Sequence, residues 1–211
     1  MPIKENREYR SMELRANVEP ESYMVEGYAT TFDSPYELFR DGQYIFTEQV
    51  SRDAFMGTDM SDVIFQLNHE GKVYARQSNG SLELNQDEHG LLTRANLSLT
   101  QSAREIFEEI KTGLLTKMSF AFTVTDDAVE YNEQPDGTTK VLRTIKRIGK
   151  LYDVSVVSIP ANDQTSISAR TFGEGVIAEI DAERRHAQEI KAKREALQNR
   201  LSSILEVKAD E

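Results

Sequence analysis

The stretch VLRTIKRIGKLYDVSVVSIPAN, residues 141–162, decides how the rest of the chain must be arranged. It is dense in β-branched residues and has no helical period, so it reads as two short strands. Within it Asp153 interrupts the apolar run LYDVSVVSI. A carboxylate in a buried strand is costly unless it is paired or hydrogen-bonded. Asp153 is therefore either an outward-facing residue of an edge strand or a group with a dedicated partner.

Working outward, the preceding segment KMSFAFTVTDDAVEYN is a strand, and EQPDGTTK is the hairpin turn that joins it to residues 141–162. Further upstream, SAREIFEEIKTG reads as the clearest helix of the body. Ser102 and Glu105 have capping-box spacing, Ile106, Phe107, Ile110 and Leu114 form its apolar stripe, and Gly113 sits where a left-handed residue ends a helix. GSLELNQDEHGLLTRANLSL reads as a hairpin, DVIFQLNH as a strand running through His69, and SRDAFMG as one or two helical turns capped by Ser51. YMVEGYATTF is strand-like, and Asp41-Gly42 marks another hairpin turn. Six or seven short strands around few helices predict a mainly β protein with helices (α+β), a closed antiparallel barrel flanked by helices.

The pattern changes after Arg170. The last forty or so residues lack proline and any strand alternation. Ile190, Leu197 and Ile204 recur every seven residues, with Ile180, Ala187 and Leu201 on neighbouring seam positions and Glu183 and Arg194 interrupting. The expected organisation is a body over residues 1–172 and a long amphipathic C-terminal helix over 173–211, which docks on the body or pairs with another helix.

Composition narrows the function. The 211 residues are 38% hydrophobic and 29% charged, with a formal net charge of −11. Such an acidic surface repels phosphates, which argues against nucleic-acid binding through a general field. No cysteine is present, so disulfides, thiol nucleophiles and thiolate metal sites are excluded. No apolar run approaches the roughly 20 residues needed to span a bilayer, and the N-terminus lacks a signal-peptide core, so an intracellular protein without membrane attachment is expected.

Two further positions invite chemistry. His69, in QLNHEG, stands at the end of an apolar strand, whereas His89 falls in a turn and His186 on the charged helix. Ser119, in KMSFAF, alternates with Met118, Phe120 and Phe122, so that Ser119 and Ala121 share the opposite face as a small, open spot. A serine nucleophile needs a base to take its proton and a group to orient that base.

At this point the chain resembles the phage prohead maturation proteases of the HK97 type. The resemblance is carried, in order, by VEGYATTF, FTEQVSRDAF, FQLNHEGKVYARQSNGSLELNQDEHGLLTRANL, IKTGLLTKMSFAF and LYDVSVVSIPAND. It departs mildly from the usual pattern, with NHE in place of an NHD-like context and Ala121 where glycine often follows the Met-Ser-Phe motif. The family is similar to herpesvirus assemblins, which implies the closed barrel. It also implies a serine endopeptidase with His69 as base, Ser119 as nucleophile and Asp153 as orienter, without cofactor or metal. By the same analogy an oxyanion donor is expected from a backbone N–H of Ala161 or Asn162, since Pro160 has none to give. The implied substrates are the scaffold or the N-terminal segment of the major capsid protein, or both, with self-cleavage included, cut inside the procapsid in the host cytoplasm. A homo-oligomer, dimer or higher, is expected. Two alternatives stand beside this reading: a non-catalytic capsid assembly or scaffolding protein with the same barrel, and a metal-assisted hydrolase using His69, Glu70 and Asp153.

Overall fold

A computed structural model of the chain describes residues 7–13, 23–158 and 167–209. In chain order the elements are β1 (Glu8–Glu13), β2 (Met24–Thr31), β3 (Tyr36–Asp41), β4 (Tyr44–Val50), β5 (Ile64–Leu67), β6 (Glu70–Arg76), a short 3₁₀ turn (Gln77–Asn79), β7 (Leu82–Gln86), β8 (Gly90–Asn96), α1 (Gln101–Lys111), β9 (Lys117–Glu133), β10 (Thr139–Val157) and α2 (Ile167–Ala209). Two compact units are present, Met1–Ala169 and Arg170–Glu211.

The expected closed antiparallel barrel is not what forms. The first unit is built from two open sheets, one ordered β1-β9-β10-β4-β3 with β5 and β6 attached through β10, the other β2-β8-β7. The reason lies in residues 141–162. They do not make two short strands. Residues 139–157 form one 19-residue strand, β10, which changes neighbours along its length. Its whole length pairs antiparallel with β9, while its first half pairs parallel with β4 and its last residues pair parallel with β5. The register slips repeatedly between Ile145 and Asp153, which bends the strand where the partner changes. Gly149 sits in this bend, where a Cβ would lie 2.7 Å from Thr125 Cγ2. Between the two sheets, among the described residues, a single parallel bridge from Phe32 to Val50 takes the place of the ladder that closure would require.

The core fills the space enclosed by the sheets and α1. Val25 and Ala29 of β2, Leu91 and Ala95 of β8, Phe65 of β5, Met118, Phe120 and Phe122 of β9, Val154 and Val156 of β10, and Ile106, Phe107 and Ile110 of α1 belong to one buried cluster. Helix α1 starts earlier than its capping-box spacing implied. Thr100 is the N-cap, its hydroxyl accepting from Ala103 N at 3.1 Å. Its stripe also ends differently: Leu114 is 75% exposed and Leu115 takes the buried place after the left-handed Gly113. Residues 51–57 are turns rather than a helix, and they bury Ala54 and Phe55. In α2, Ile190 and Leu197 of the expected seam are exposed, and the side chains of Leu201 and Ile204 lie outside the described residues. No helix among the described residues is long and apolar enough to cross a membrane.

β1 was not foreseen, and a buried ionic network ties it to the sheet. Arg10, 1% exposed, donates to Glu48 Oε1 at 2.5 Å and Oε2 at 2.7 Å and to Glu8 Oε2 at 2.6 Å. Arg143 bridges Glu8, Glu48 and Asp127 at 2.6–3.1 Å, and the Tyr36 hydroxyl donates to Glu48. Each charge thus has partners that offset its desolvation. Burial works against the ionised form of Glu8, but Arg10 and Arg143 together outweigh it and hold its carboxyl below the usual value.

Three outcomes follow from this packing. Gly90 has no room for a side chain, because an added Cβ would lie 2.0 Å from the Thr30 carbonyl oxygen. Gly90→Ala should therefore cost about 3 kcal/mol in urea denaturation. Arg10→Met leaves the buried Glu48 with only Arg143 and the Tyr36 hydroxyl as partners among the described residues and should cost about 3–5 kcal/mol. Because the folded-state pKa of Glu8 is depressed, its contribution is complete above the ordinary carboxyl pKa and is lost as pH falls through the folded value. The stability of Glu8→Gln should accordingly fall less steeply on acidification than that of the parent chain.

Candidate active site

Ser119, His69 and Asp153 come from three different strands or turns, and the sheet brings them within hydrogen-bond reach. β9 and β10 set the floor. In their antiparallel register Ser119 lies opposite Ser155, and Ala121 lies opposite Asp153. The pleat puts residues two apart on one face, so Ser119, Ala121, Asp153 and Ser155 share a surface. Met118, Phe120 and Phe122 point the other way, into the core cluster, as the alternation of KMSFAF predicts. The lateral row continues on both sides, through Ser11 of β1 and Gln66 of β5.

His69 reaches this floor from the tip of the β5–β6 hairpin. The expected strand through His69 stops at Leu67, which pairs with Glu70. Asn68 and His69 are the two loop residues, at φ of 55° and 60°. This is the pattern of a type I′ turn, which normally selects Asn-Gly. Asparagine suits its place. The histidine occupies a conformation that costs a residue with a Cβ about 1 kcal/mol or more. The turn is pinned to the end of β10. Asn68 N donates to Val156 O at 2.9 Å, and Asn68 Oδ1 accepts from Ser158 N at 3.0 Å and Ser158 Oγ at 3.1 Å.

The imidazole bridges the other two side chains. Nδ1 is 2.5 Å from Asp153 Oδ1, and Nε2 is 2.7 Å from Ser119 Oγ. An ionised carboxylate only accepts, so Nδ1 carries the proton and donates it to Asp153. The unprotonated Nε2 of the neutral ring then accepts from the Ser119 hydroxyl. All three are shielded: Ser119 is fully buried, and the His69 and Asp153 side chains are 2% and 5% exposed. Low polarisability around the site strengthens each of these contacts. Tyr9 of β1 packs edge-on against the imidazole, ring centroids 4.7 Å apart. Burial raises the Tyr9 phenol above its usual pKa, with the Asp153 carboxylate adding to the effect and the Arg7 guanidinium opposing it.

This arrangement can move a proton from an alcohol to an imidazole while a carboxylate steadies the charge that develops. Ala161 and Asn162 lie outside the described residues. Among the described residues no group of three His, Asp or Glu side chains is placed to hold an ion. His89 is 70% exposed beside Glu88, and His186 is exposed on α2. A cleft of about 690 Å³ lined by Glu26, Tyr28, His89 and Leu92 includes none of the three bridged residues.

Sequence reasoning did not single out Ser155, Asn68 or Tyr9. Ser155 carried a readable signal, because it stands two residues after Asp153 in a strand and so had to share its face. Asn68 carried one too, as an asparagine in a short polar turn between two apolar runs. Tyr9 had none, since its approach depends on the long-range pairing of β1 with β9.

No curated protein and no solved structure matches the chain. A family model described as caudovirus prohead serine protease matches residues 10–176. That match covers most of the 211 residues and takes in both sheets' shared core together with Ser119, His69 and Asp153, so the chain belongs to the caudovirus prohead serine protease family.

Proposed function

We propose that this phage prohead protease is a serine endopeptidase in which Ser119 is the nucleophile, His69 the general base and Asp153 the group that orients the base. The observation that carries this reading is the pair of hydrogen bonds at His69, 2.5 Å to Asp153 and 2.7 Å to Ser119. Those lengths suit a base within direct reach of the proton it must take.

The chemistry follows from the donors and acceptors. Ser119 Oγ attacks the scissile carbonyl carbon as its proton passes to His69 Nε2. The imidazolium is stabilised by Asp153, which keeps its own charge. The tetrahedral intermediate collapses, the C–N bond breaks, and His69 gives its proton to the departing amine. A water then repeats the sequence on the acyl-enzyme, delivering its proton to His69 and freeing Ser119. The oxyanion needs donors about 3 Å away, each worth roughly 3 kcal/mol. On the assemblin analogy the backbone N–H of Ala161 or Asn162 supplies one.

The proposed substrates are the scaffold protein and the N-terminal segment of the major capsid protein, with self-cleavage included. The proposed site of action is the interior of the procapsid in the host cytoplasm, with the enzyme working as a dimer or higher homo-oligomer. Residues 1–172 would be the protease domain, and residues 173–211 a helical extension that serves as packaging handle. Family membership supports the substrate class, and the heptad-spaced Ile190 and Leu197, both exposed, support a partner for the helix.

Co-expression with the capsid protein tests the reading. Ser119→Ala and His69→Ala should each reduce processing by about 10³-fold or more, read from the intact masses of both chains. Asp153→Asn should reduce it by a similar order while leaving the fold intact. Unchanged processing in Ser119→Ala would make the chain an assembly protein with no nucleophile at this position.

A further inference from the structure

We propose that Ser155 is a positioning residue that holds Asp153 in the orientation from which Asp153 steadies His69. The inference rests on the reading of Ser119, His69 and Asp153 given above and adds a fourth side chain to it.

Ser155 is fully buried, and its hydroxyl donates to Asp153 Oδ1 at 2.7 Å. That is the same oxygen that accepts His69 Nδ1–H at 2.5 Å. The geometry is imposed by the sheet. Ser155 follows Asp153 by two residues in β10, so the pleat stacks both side chains on one face. It also lies opposite Ser119 on β9 and opposite Gln66 on β5, in the middle of the polar row beneath the imidazole.

The physical need is specific. An aspartate side chain rotates about two bonds, and its terminal torsion is broad. One donor at Oδ1 leaves the carboxylate free to swing about that contact. A second donor, fixed to the same strand, removes the swing. A buried carboxylate also needs compensation for lost water, and a neutral hydroxyl supplies it without a counter-charge. A charged partner would draw Asp153 away from the imidazolium that forms during turnover. A hydroxyl leaves that charge available to His69. Alanine at 155 would fill nearly the same space, so the role lies in the O–H and not in volume.

The test uses the full chain and a fluorophosphonate probe, which phosphonylates an activated serine with loss of fluoride. Second-order labelling rates at Ser119, located by peptide mass spectrometry, are measured for the parent chain, Ser155→Ala, Ser155→Thr, Asp153→Ala and the Ser155→Ala/Asp153→Ala double variant. Ser155→Ala should slow labelling by about 10- to 100-fold, the range expected for a lost hydrogen bond to a charged group. Ser155→Thr, which keeps the hydroxyl, should recover most of the rate. In the Asp153→Ala background the same Ser155→Ala change should matter by no more than about twofold, because its route to His69 is gone. Equal slowing in both backgrounds would mean that Ser155 only packs, and an undiminished rate in Ser155→Ala would mean that it does nothing. Either result overturns this inference and leaves the Ser119 assignment standing. Absence of labelling at Ser119 in the parent chain would remove that assignment and this inference together. If thermal unfolding shows Ser155→Ala to be misfolded, Ser155→Cys replaces it, keeping the bulk while donating weakly, and the same two comparisons decide.

Discussion

The antiparallel pairing of β9 with β10 is the constraint on which everything else in the first unit rests. It fixes Ser119 beside Ser155 and Ala121 beside Asp153, so Ser119 and Asp153, far apart in the chain, meet on one face of the sheet. The same strand β10 then recruits β4 along one half and β5 along the other. Pairing with β5 brings in the hairpin that carries His69. A shift of this ladder by one residue would turn Ser119 into the core and Phe120 toward the imidazole. Register and chemistry are therefore set by one set of backbone hydrogen bonds.

Two buried polar systems sit on this frame and are solved differently. Around Arg10, Glu48, Glu8 and Arg143, full charges face full charges, and ion pairs balance the desolvation. Around Asp153, one carboxylate is met by an imidazole N–H and a serine hydroxyl. The first arrangement is static, anchoring β1 across β9, β10 and β4. On the proposed mechanism, the second keeps the charge of Asp153 available to a ring that takes up and releases a proton in each turnover. A counter-ion there would blunt the response that the site depends on.

How much of this was legible in the residues divides along local and long-range lines. Asp153 stood out because it interrupted an apolar run, His69 because it ended an apolar strand, and Ser119 because it shared a small, open face with Ala121, and the alternation of KMSFAF correctly assigned its faces. The β7–β8 and β9–β10 hairpins and helix α1 were readable from turn chemistry and periodicity. The closed barrel was not supported, because one bent strand with two successive parallel partners has the same local composition as two short strands. The parallel neighbours β4 and β5 are chosen by packing over a long sequence separation, which no window of residues encodes. The strand β1 was missed for the same reason: EYRSME is polar, and Arg10 reads as a surface residue until Glu48 and Glu8 surround it. The left-handed Gly113 at the end of α1 was read correctly, but the last apolar position was misassigned by one residue, since Leu115 and not Leu114 takes the buried place after it.

The tip of the β5–β6 hairpin carries a consequence for how this fold can vary. Hairpin tips are ordinarily where a protein family absorbs insertions and deletions, because nothing else depends on their length. Here the loop is two residues long, both left-handed, and the second is the imidazole itself. One extra residue would rotate the ring off Ser119 and Asp153, and one fewer would leave no turn that the strands could close. Among the described surface connections, this one has a length set by the contacts of His69 with Ser119 and Asp153, so sequence drift is expected to lengthen its neighbours and leave it alone.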